Sequence, residues 1–345
     1  MAKKKAVIIC PGRGTYNAAE LGYLSRHHSD KQAFLDMIDR VRAEADQSSI
    51  TALDSAEPFR ASKHGRGDNA SLLIYACALA DYFSINRDLY DVVGVTGNSM
   101  GWYLSLAVAG ALSLEDGARL VNGMGNIMTE HGVGGQVVYR TVDDEWRPNA
   151  AKQKSVDNAL SMVGGVSIDT SIRLGGMHVF AGGERGLKHL LSTLPKDDIY
   201  PFQLRGHSAF HSAKLDHIVP VAKAAFKADM FSAPKIPMID GQGSFWRPYA
   251  ACPKALFDYT LGAQINSTYD FTKAVTNAAK ELAPDVFIVL GPGGTMGAPV
   301  AQSLIATNWE GLTSKSDFLN RQKMSPFILS MGRDDGRALV VKNNT

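Results

Sequence analysis

Three short apolar runs, each ending in a glycine-rich turn, constrain this chain more than any other feature. Ala6-Val7-Ile8-Ile9-Cys10 runs into Pro11-Gly12-Arg13-Gly14. Val92-Val93-Gly94-Val95-Thr96 runs into Gly97-Asn98-Ser99-Met100-Gly101, and Val286-Phe287-Ile288-Val289-Leu290 into Gly291-Pro292-Gly293-Gly294. Short apolar runs without polar alternation are strands buried on both faces, the kind that build parallel sheets covered by helices. Ala70 to Phe83 is apolar on most faces and reads as a buried helix. Residues 17–46, Ala213 to Phe226 and 271–282 also read as largely helical, Phe59 to Gly67 as a loop and Lys235 to Ile239 as a strand. The predicted class is therefore α/β, and 345 residues suffice for one large domain or a domain with an insert.

The pattern changes after about residue 130. Gln136 to Thr141 reads as a strand, 144–162 as a helix, Val166 to Arg173 and Met177 to Ala181 as strands, Glu184 to Leu194 as a helix and Ile199 to Leu204 as a strand. This β-α-β-β-α-β order is the ferredoxin-like pattern. The expected organisation is a discontinuous core of residues 1–130 and 205–310, an inserted small subdomain of 131–204, and a C-terminal extension of 311–345 that carries no functional reading.

A net charge of +2 gives no reason to expect nucleic acid or a membrane surface as partner. The three cysteines, Cys10, Cys77 and Cys252, are far apart, which fits thiols in a reducing compartment better than a disulfide framework or a zinc site. Lys3-Lys4-Lys5 resembles the start of a signal peptide, but the apolar run after it is too short for one. Leu104 to Leu114 is broken by Ser and Gly and does not span a bilayer. The expected location is the cytoplasm.

Gly97-Asn98-Ser99-Met100-Gly101 is a G-x-S-x-G between a strand and a helix. At such an elbow a sharp turn exposes the serine oxygen, flanking glycines avoid clashes, and the helix start offers N–H groups to an oxyanion. A serine nucleophile needs a base. Among nine histidines, His211 in Ser208-Ala209-Phe210-His211-Ser212 lies just before a predicted helix, with His207 as its local competitor. Spacing alone does not choose between them.

The stretch from Gly94 to Val121 resembles the malonyl-CoA:acyl-carrier-protein transacylase pattern G-H-S-L-G-E-Y-x-A-L-x-x-A-G-A-L-S-L-E-D-A-x-R-L-V. Pro11-Gly12-Arg13-Gly14 is similar to that family's P-G-Q-G, Ser208-Ala209-Phe210-His211-Ser212 to its A-F-H-S, and Val289-Leu290-Gly291-Pro292-Gly293 to its E-x-G-P-G. The four blocks keep the family's order and spacing over residues 8 to about 300. The resemblance implies an α/β-hydrolase-like core with a ferredoxin-like insert. It also implies a ping-pong transfer in which Ser99 takes an acyl group from acyl-CoA, with His211 as base, and passes it to the phosphopantetheine arm of an acyl carrier protein. Backbone N–H groups of Met100 and Arg13 would form the oxyanion hole. No metal or redox cofactor is implied, since CoA is a substrate and the arm belongs to the carrier. In the family a backbone carbonyl before the last core helix orients the histidine. Asp270 falls near that position, so its carboxylate is a second candidate for that role, beside a plain helix-start role.

The chain departs from the pattern at positions that bear on substrate. Asn98 replaces the histidine before the nucleophile, Asn69 stands where a site-lining glutamine is expected, and Met124 occupies the place of the arginine that pairs with the malonyl carboxylate. A thioether offers a carboxylate nothing, and burying one unpaired is costly. Malonyl is what the resemblance implies; Met124 predicts a non-carboxylated acyl group such as acetyl or a longer chain. Arg13, beside the oxyanion hole, could restore a positive charge from the other wall. Arg60, Lys63 and Arg66 form a candidate docking patch for an acidic carrier, or a solvated loop. The competing readings are an acyl-carrier hydrolase, in which water replaces the second thiol, and a non-catalytic acyl- or carrier-binding module, which would leave Ser99 unlabelled by acyl-CoA. A general α/β-hydrolase esterase is a further reading, with Ser…Asp…His order and no insert.

Overall fold

The computed structural model describes residues 2–161 and 167–342. Its strands are β1 (Lys4–Cys10), β2 (Tyr90–Gly97), β3 (Gly135–Arg140), β4 (Ile168–Leu174), β5 (Met177–Gly182), β6 (Phe202–Leu204), β7 (Met238–Ile239), β8 (Phe245–Trp246), β9 (Tyr269–Asp270), β10 (Val286–Val289) and β11 (Ile328–Ser330). They form a six-stranded sheet ordered β11-β10-β1-β2-β7-β8 and a five-stranded sheet ordered β6-β3-β5-β4-β9. In the larger sheet only the β7–β8 pair is antiparallel. Ala6 to Cys10 and Val286 to Val289 are buried, as expected of strands covered on both faces by helices.

The register of the central pair positions the site. Ile9 lies opposite Thr96 and Val289, and Cys10 opposite Gly97, so the turns after β1, β2 and β10 emerge at the same, carboxyl, end of the sheet. Helix Gly67–Ser84 is buried from Ala70 to Asp81 and packs on helix Leu114–His131. That explains why its apolar residues show no one-sided periodicity.

The elements between 135 and 204 follow the order β3, helix Ala150–Ser161, β4, β5, helix Glu184–Thr193, β6. Residues 162–166, including the predicted strand start at Val166, lie outside the described residues. The helix expected from 144 begins only at Ala150, because Asp143 to Arg147 closes a turn ahead of Pro148. The small sheet is not confined to 131–204: β9, next to a core helix in sequence, adds a parallel edge through Ile172 opposite Tyr269 and Arg173 opposite Asp270. Residues 311–342 are likewise not an extension. Phe287, Ile288 and Val289 pair with Ile328, Leu329 and Ser330, which makes β11 the edge of the main sheet, and helix Asp334–Val340 covers it. Among the described residues, no helix is long and apolar enough to cross a membrane.

Candidate active site

β2 ends at Gly97 and the next helix starts at Gly101, leaving three residues to reverse the chain. Ser99 sits at the apex with a φ of 55°. That left-handed conformation is strained for a residue with a side chain and lifts Oγ off the sheet. The glycine after it is required by space, because a Cβ at Gly101 would stand 2.4 Å from the Cys10 carbonyl oxygen. Gly12 plays the same part in the facing loop, where a Cβ would meet the Asn98 carbonyl oxygen at 2.7 Å. With both clashes avoided, the Pro11–Gly14 loop lies directly against the elbow.

Ser99 Oγ and His211 Nε2 are 2.7 Å apart. On the other side of the ring, His211 Nδ1 is 2.8 Å from the backbone oxygen of Gln264, an acceptor only. Nδ1 therefore carries the proton, and Nε2 presents a lone pair to the serine hydroxyl. His211 is itself at a φ of 56°, pinned by its N–H to the Ile265 carbonyl at 3.0 Å. The Gln264 carboxamide donates to Ser99 O at 2.8 Å, and the Tyr269 hydroxyl to Gly97 O at 2.6 Å. One short segment thus braces both the histidine and the elbow. Burial pushes the His211 imidazole down to about 4, against the opposing pull of the Gln264 carbonyl, so at neutral pH it is a free base. The N–H groups of Met100 and Arg13 donate to no protein acceptor among the described residues. Both residues line the pocket that holds Ser99 and His211. A serine with an aligned base, in a pocket lined by two residues whose N–H groups donate to no described acceptor, is equipped to attack an acyl carbonyl and stabilise the resulting oxyanion. Beneath the elbow, burial pushes the Cys10 thiol up to about 12, which removes it as a rival nucleophile.

No protein-family profile matches the chain. The malonyl-CoA:acyl-carrier-protein transacylase of Xanthomonas oryzae superposes with a TM-score of 0.74 at 18% identity, over 99% of this chain and 100% of that one. That of Synechocystis gives 0.73 at 16% identity, over 98% and 100%. The chain has the transacylase fold. Acyltransferase domains of polyketide synthases share that fold: the one from the second module of the salinomycin synthase gives a TM-score of 0.70 at 19% identity, over 97% of this chain and 70% of that one. Among curated sequences, mycoketide-CoA synthase of Mycobacterium tuberculosis is 24% identical over 325 residues, 88% of this chain. The polyketide synthase pks27 of Aspergillus flavus is 27% identical over 146 residues, 42% of this chain. The chain spans only 7% of the length of either relative.

Within this transacylase fold, several residues expected at the site are placed differently. Asp270 does not orient His211. Its carboxylate accepts from the Lys273 N–H at 2.8 Å as the N-cap of helix Phe271–Leu282 and faces Arg173 at 3.7 Å, while a backbone carbonyl takes the histidine proton. Asp270→Ala is expected to cost about 1 kcal/mol of stability as a lost cap and to leave the reactivity of Ser99 toward an acylating reagent unchanged; a fall beyond tenfold would restore Asp270 to the site. Asn69 does not line the Ser99 pocket either. Its oxygen accepts from the buried Arg42 guanidinium at 2.6 Å and its amide donates to Lys63 O at 2.9 Å. Asn98 is buried and borders the groove toward the small sheet. His207 makes no hydrogen bond to Ser99; its Nδ1 is 2.8 Å from Gln136 Oε1. Met124 lines the same pocket as Ser99, 2% exposed, with Val121, Met128 and Tyr103 around it. Gln264 is the residue that sequence reasoning missed. Among the described residues no group of three His, Cys, Asp or Glu side chains is placed to hold a metal ion.

Proposed function

We propose that this protein transfers an acyl group from the thioester of acyl-CoA to the thiol of a carrier protein's pantetheine arm, through an ester on Ser99. The observation that carries the reading is the line from Ser99 Oγ through His211 to the Gln264 carbonyl, set at a strained elbow in a pocket that Met100 and Arg13 also line.

In the first half, Ser99 Oγ attacks the thioester carbonyl as its proton passes to His211 Nε2, and the carbonyl oxygen turns negative against the two N–H groups. The C–S bond breaks and the departing sulfur takes the proton from His211. In the second half, the carrier thiol gives its proton to His211 and its sulfur attacks the ester carbonyl. Ser99 Oγ then leaves and recovers the proton. Neither half consumes a metal, a redox cofactor or an external acid. An acidic carrier would meet Arg60, Lys63 and Arg66, exposed on the rim near the groove that Arg66 and Arg205 line.

The test is intact-protein mass spectrometry of the wild type and Ser99→Ala after incubation with malonyl-, acetyl- and medium-chain acyl-CoA. The wild type is expected to gain one acyl mass that a carrier thiol then removes, and Ser99→Ala to gain none. An adduct on both proteins, or release of free acid without passage to the carrier, would count against transfer through Ser99.

A further inference from the structure

His207 takes no part in the proton transfers above, yet its protons are held in one arrangement. Its Nδ1 is 2.8 Å from Gln136 Oε1, Gln136 Nε2 donates to Ser171 Oγ at 2.6 Å, and Ser171 Oγ donates to Phe210 O at 2.7 Å. Gln136 and Ser171 are both buried. A carbonyl only accepts, so the direction of the chain is set from that end. The serine proton goes to Phe210 O, the Gln136 amide group must donate to the serine, and the Gln136 oxygen is left for His207. Nδ1 therefore carries the proton and Nε2 keeps the lone pair. Burial, reinforced by the nearby Arg13 charge, pushes this imidazole down to about 3, so the ring is neutral at ordinary pH.

The lone pair is unused. Among the described residues, the buried side-chain atoms without a partner are His28 Nδ1, Asn98 Oδ1, Asp169 Oδ2 and Ser330 Oγ. His207 Nε2 also has no partner but is not one of them, so it keeps accessible surface. Two grooves that share Arg13 and His207 adjoin it. One, of about 410 Å³, holds Ser99 and is walled by Val138, Ile172, Val179 and Leu204 of the small sheet. Val138 lies opposite Val179 and Phe202, and Val179 opposite Ile172, so an apolar row crosses the sheet on that side. The other groove, of about 540 Å³, is lined by Arg66 and Arg205.

These surroundings suit one kind of hydrogen-bond donor. The thiol arm of CoA or of a carrier has a phosphate at one end, sulfur at the other and secondary amides between. The amide nitrogen nearest the sulfur is two carbons away from it, about 4 Å. Phosphate suits the arginine-lined groove and the thioester must reach Ser99, so the arm passes the residue that both grooves share. An amide N–H taken out of water beside Val138 and Leu204 needs an acceptor. Neutral Nε2 supplies one, and without a proton it offers nothing to the amide carbonyl.

We propose, building on the acyl-transfer reading, that His207 Nε2 accepts a hydrogen bond from the arm amide N–H nearest the sulfur and so sets where the thioester stops against Ser99. The site then favours thiols that carry a secondary amide two carbons from sulfur.

Transfer of the acyl group from Ser99 to small thiols, read as loss of acyl mass from the intact protein, tests this. The thiols are N-acetylcysteamine and its N-methylated analogue, which lacks the amide N–H. The proteins are the wild type, His207→Leu and His207→Gln, each loaded from malonyl-, acetyl- or medium-chain acyl-CoA. The wild type is expected to react about tenfold faster with N-acetylcysteamine, with the difference in KM. His207→Leu should bring the ratio of the two thiols close to one, and His207→Gln, whose side-chain oxygen accepts, should recover part of it. A wild-type ratio near one would overturn the proposal and leave acyl transfer standing. So would a His207→Leu protein that slows with both thiols alike and keeps the wild-type ratio, since that is what a purely structural role through Gln136 predicts. Failure of every CoA thioester to label the wild type would remove the acyl-transfer reading and this proposal together.

Discussion

His211→Ala is expected to slow acylation of Ser99 by about four to six orders of magnitude while the protein stays folded. A serine hydroxyl does not ionise near neutral pH, so its attack depends on a base within hydrogen-bond reach, and Nε2 at 2.7 Å meets that condition. Residual rate would come from the two N–H donors and from substrate positioning alone. The pH profile adds a sharper check. Burial pushes the imidazole down to about 4, so the basic form persists as pH falls until that region. The wild-type kcat/KM for acylation should therefore stay level from about pH 8 down to about pH 5 and drop only below it, rather than halve near the ordinary histidine value of about 6.5. A profile that is half-maximal near 6.5 would mean that the ring is far better solvated than its burial implies, and a His211→Ala protein within tenfold of wild type would exclude the ring as base. Circular dichroism of the variant separates either result from unfolding.

The second large effect concerns stability. Asp81, fully buried on helix Gly67–Ser84, accepts from the Tyr23 hydroxyl at 2.8 Å and the Gly291 N–H at 2.7 Å, meets His28 Nε2 at 2.8 Å, and pairs with the Arg337 guanidinium. Burial pushes this carboxyl up, but the His28 bond and the Arg337 charge outweigh it and hold it below the usual carboxylate range. One carboxylate therefore ties together the N-terminal helices, the turn after β10 and the C-terminal helix. Asp81→Ala would leave the mostly buried Arg337 charge and the Gly291 N–H without their partner, at an expected cost of about 3–5 kcal/mol. That is a large share of the stability of an ordinary domain, and the midpoint of urea unfolding should fall accordingly. A loss below about 1 kcal/mol would mean that water takes over the carboxylate's role. Because Asp81 is not among the residues that line the Ser99 pocket, the folded fraction of Asp81→Ala should retain its acylation rate.

The parts of this molecule that are legible in the sequence are those whose physics is local. β1 and β10 announce themselves because five consecutive apolar residues before a glycine turn leave few other options, β2 by its valines before the Gly97 turn, and the elbow follows from the glycines that its tight turn needs. β11 and the helix after it are hidden, because a three-residue strand in a polar region acquires meaning only by pairing with Phe287 to Val289. Asn69 misleads for a related reason: its carboxamide is claimed by Arg42, a partner 27 positions away that no local pattern connects to it. Asp270 misleads because a carboxylate in the right stretch of chain is conspicuous, whereas the group that orients His211 is a carbonyl that every residue possesses.

That last point bears on what substitution experiments can detect. A survey that changes one side chain at a time would find Ser99 and His211 and would count a dyad, since no replacement at position 264 deletes a backbone oxygen. Losses at Gln264 would report its carboxamide's hold on Ser99 O, and would be mistaken for loss of the orienting group unless the main chain itself were altered. An ester in place of the peptide bond between Gln264 and Ile265, which weakens the carbonyl as an acceptor but also removes the Ile265 N–H, compared with Gln264→Ala, would tell the two apart. The third member of the line is thus inherited with the path of the chain rather than with its letters, and it can persist through sequence drift that erases every other trace of kinship.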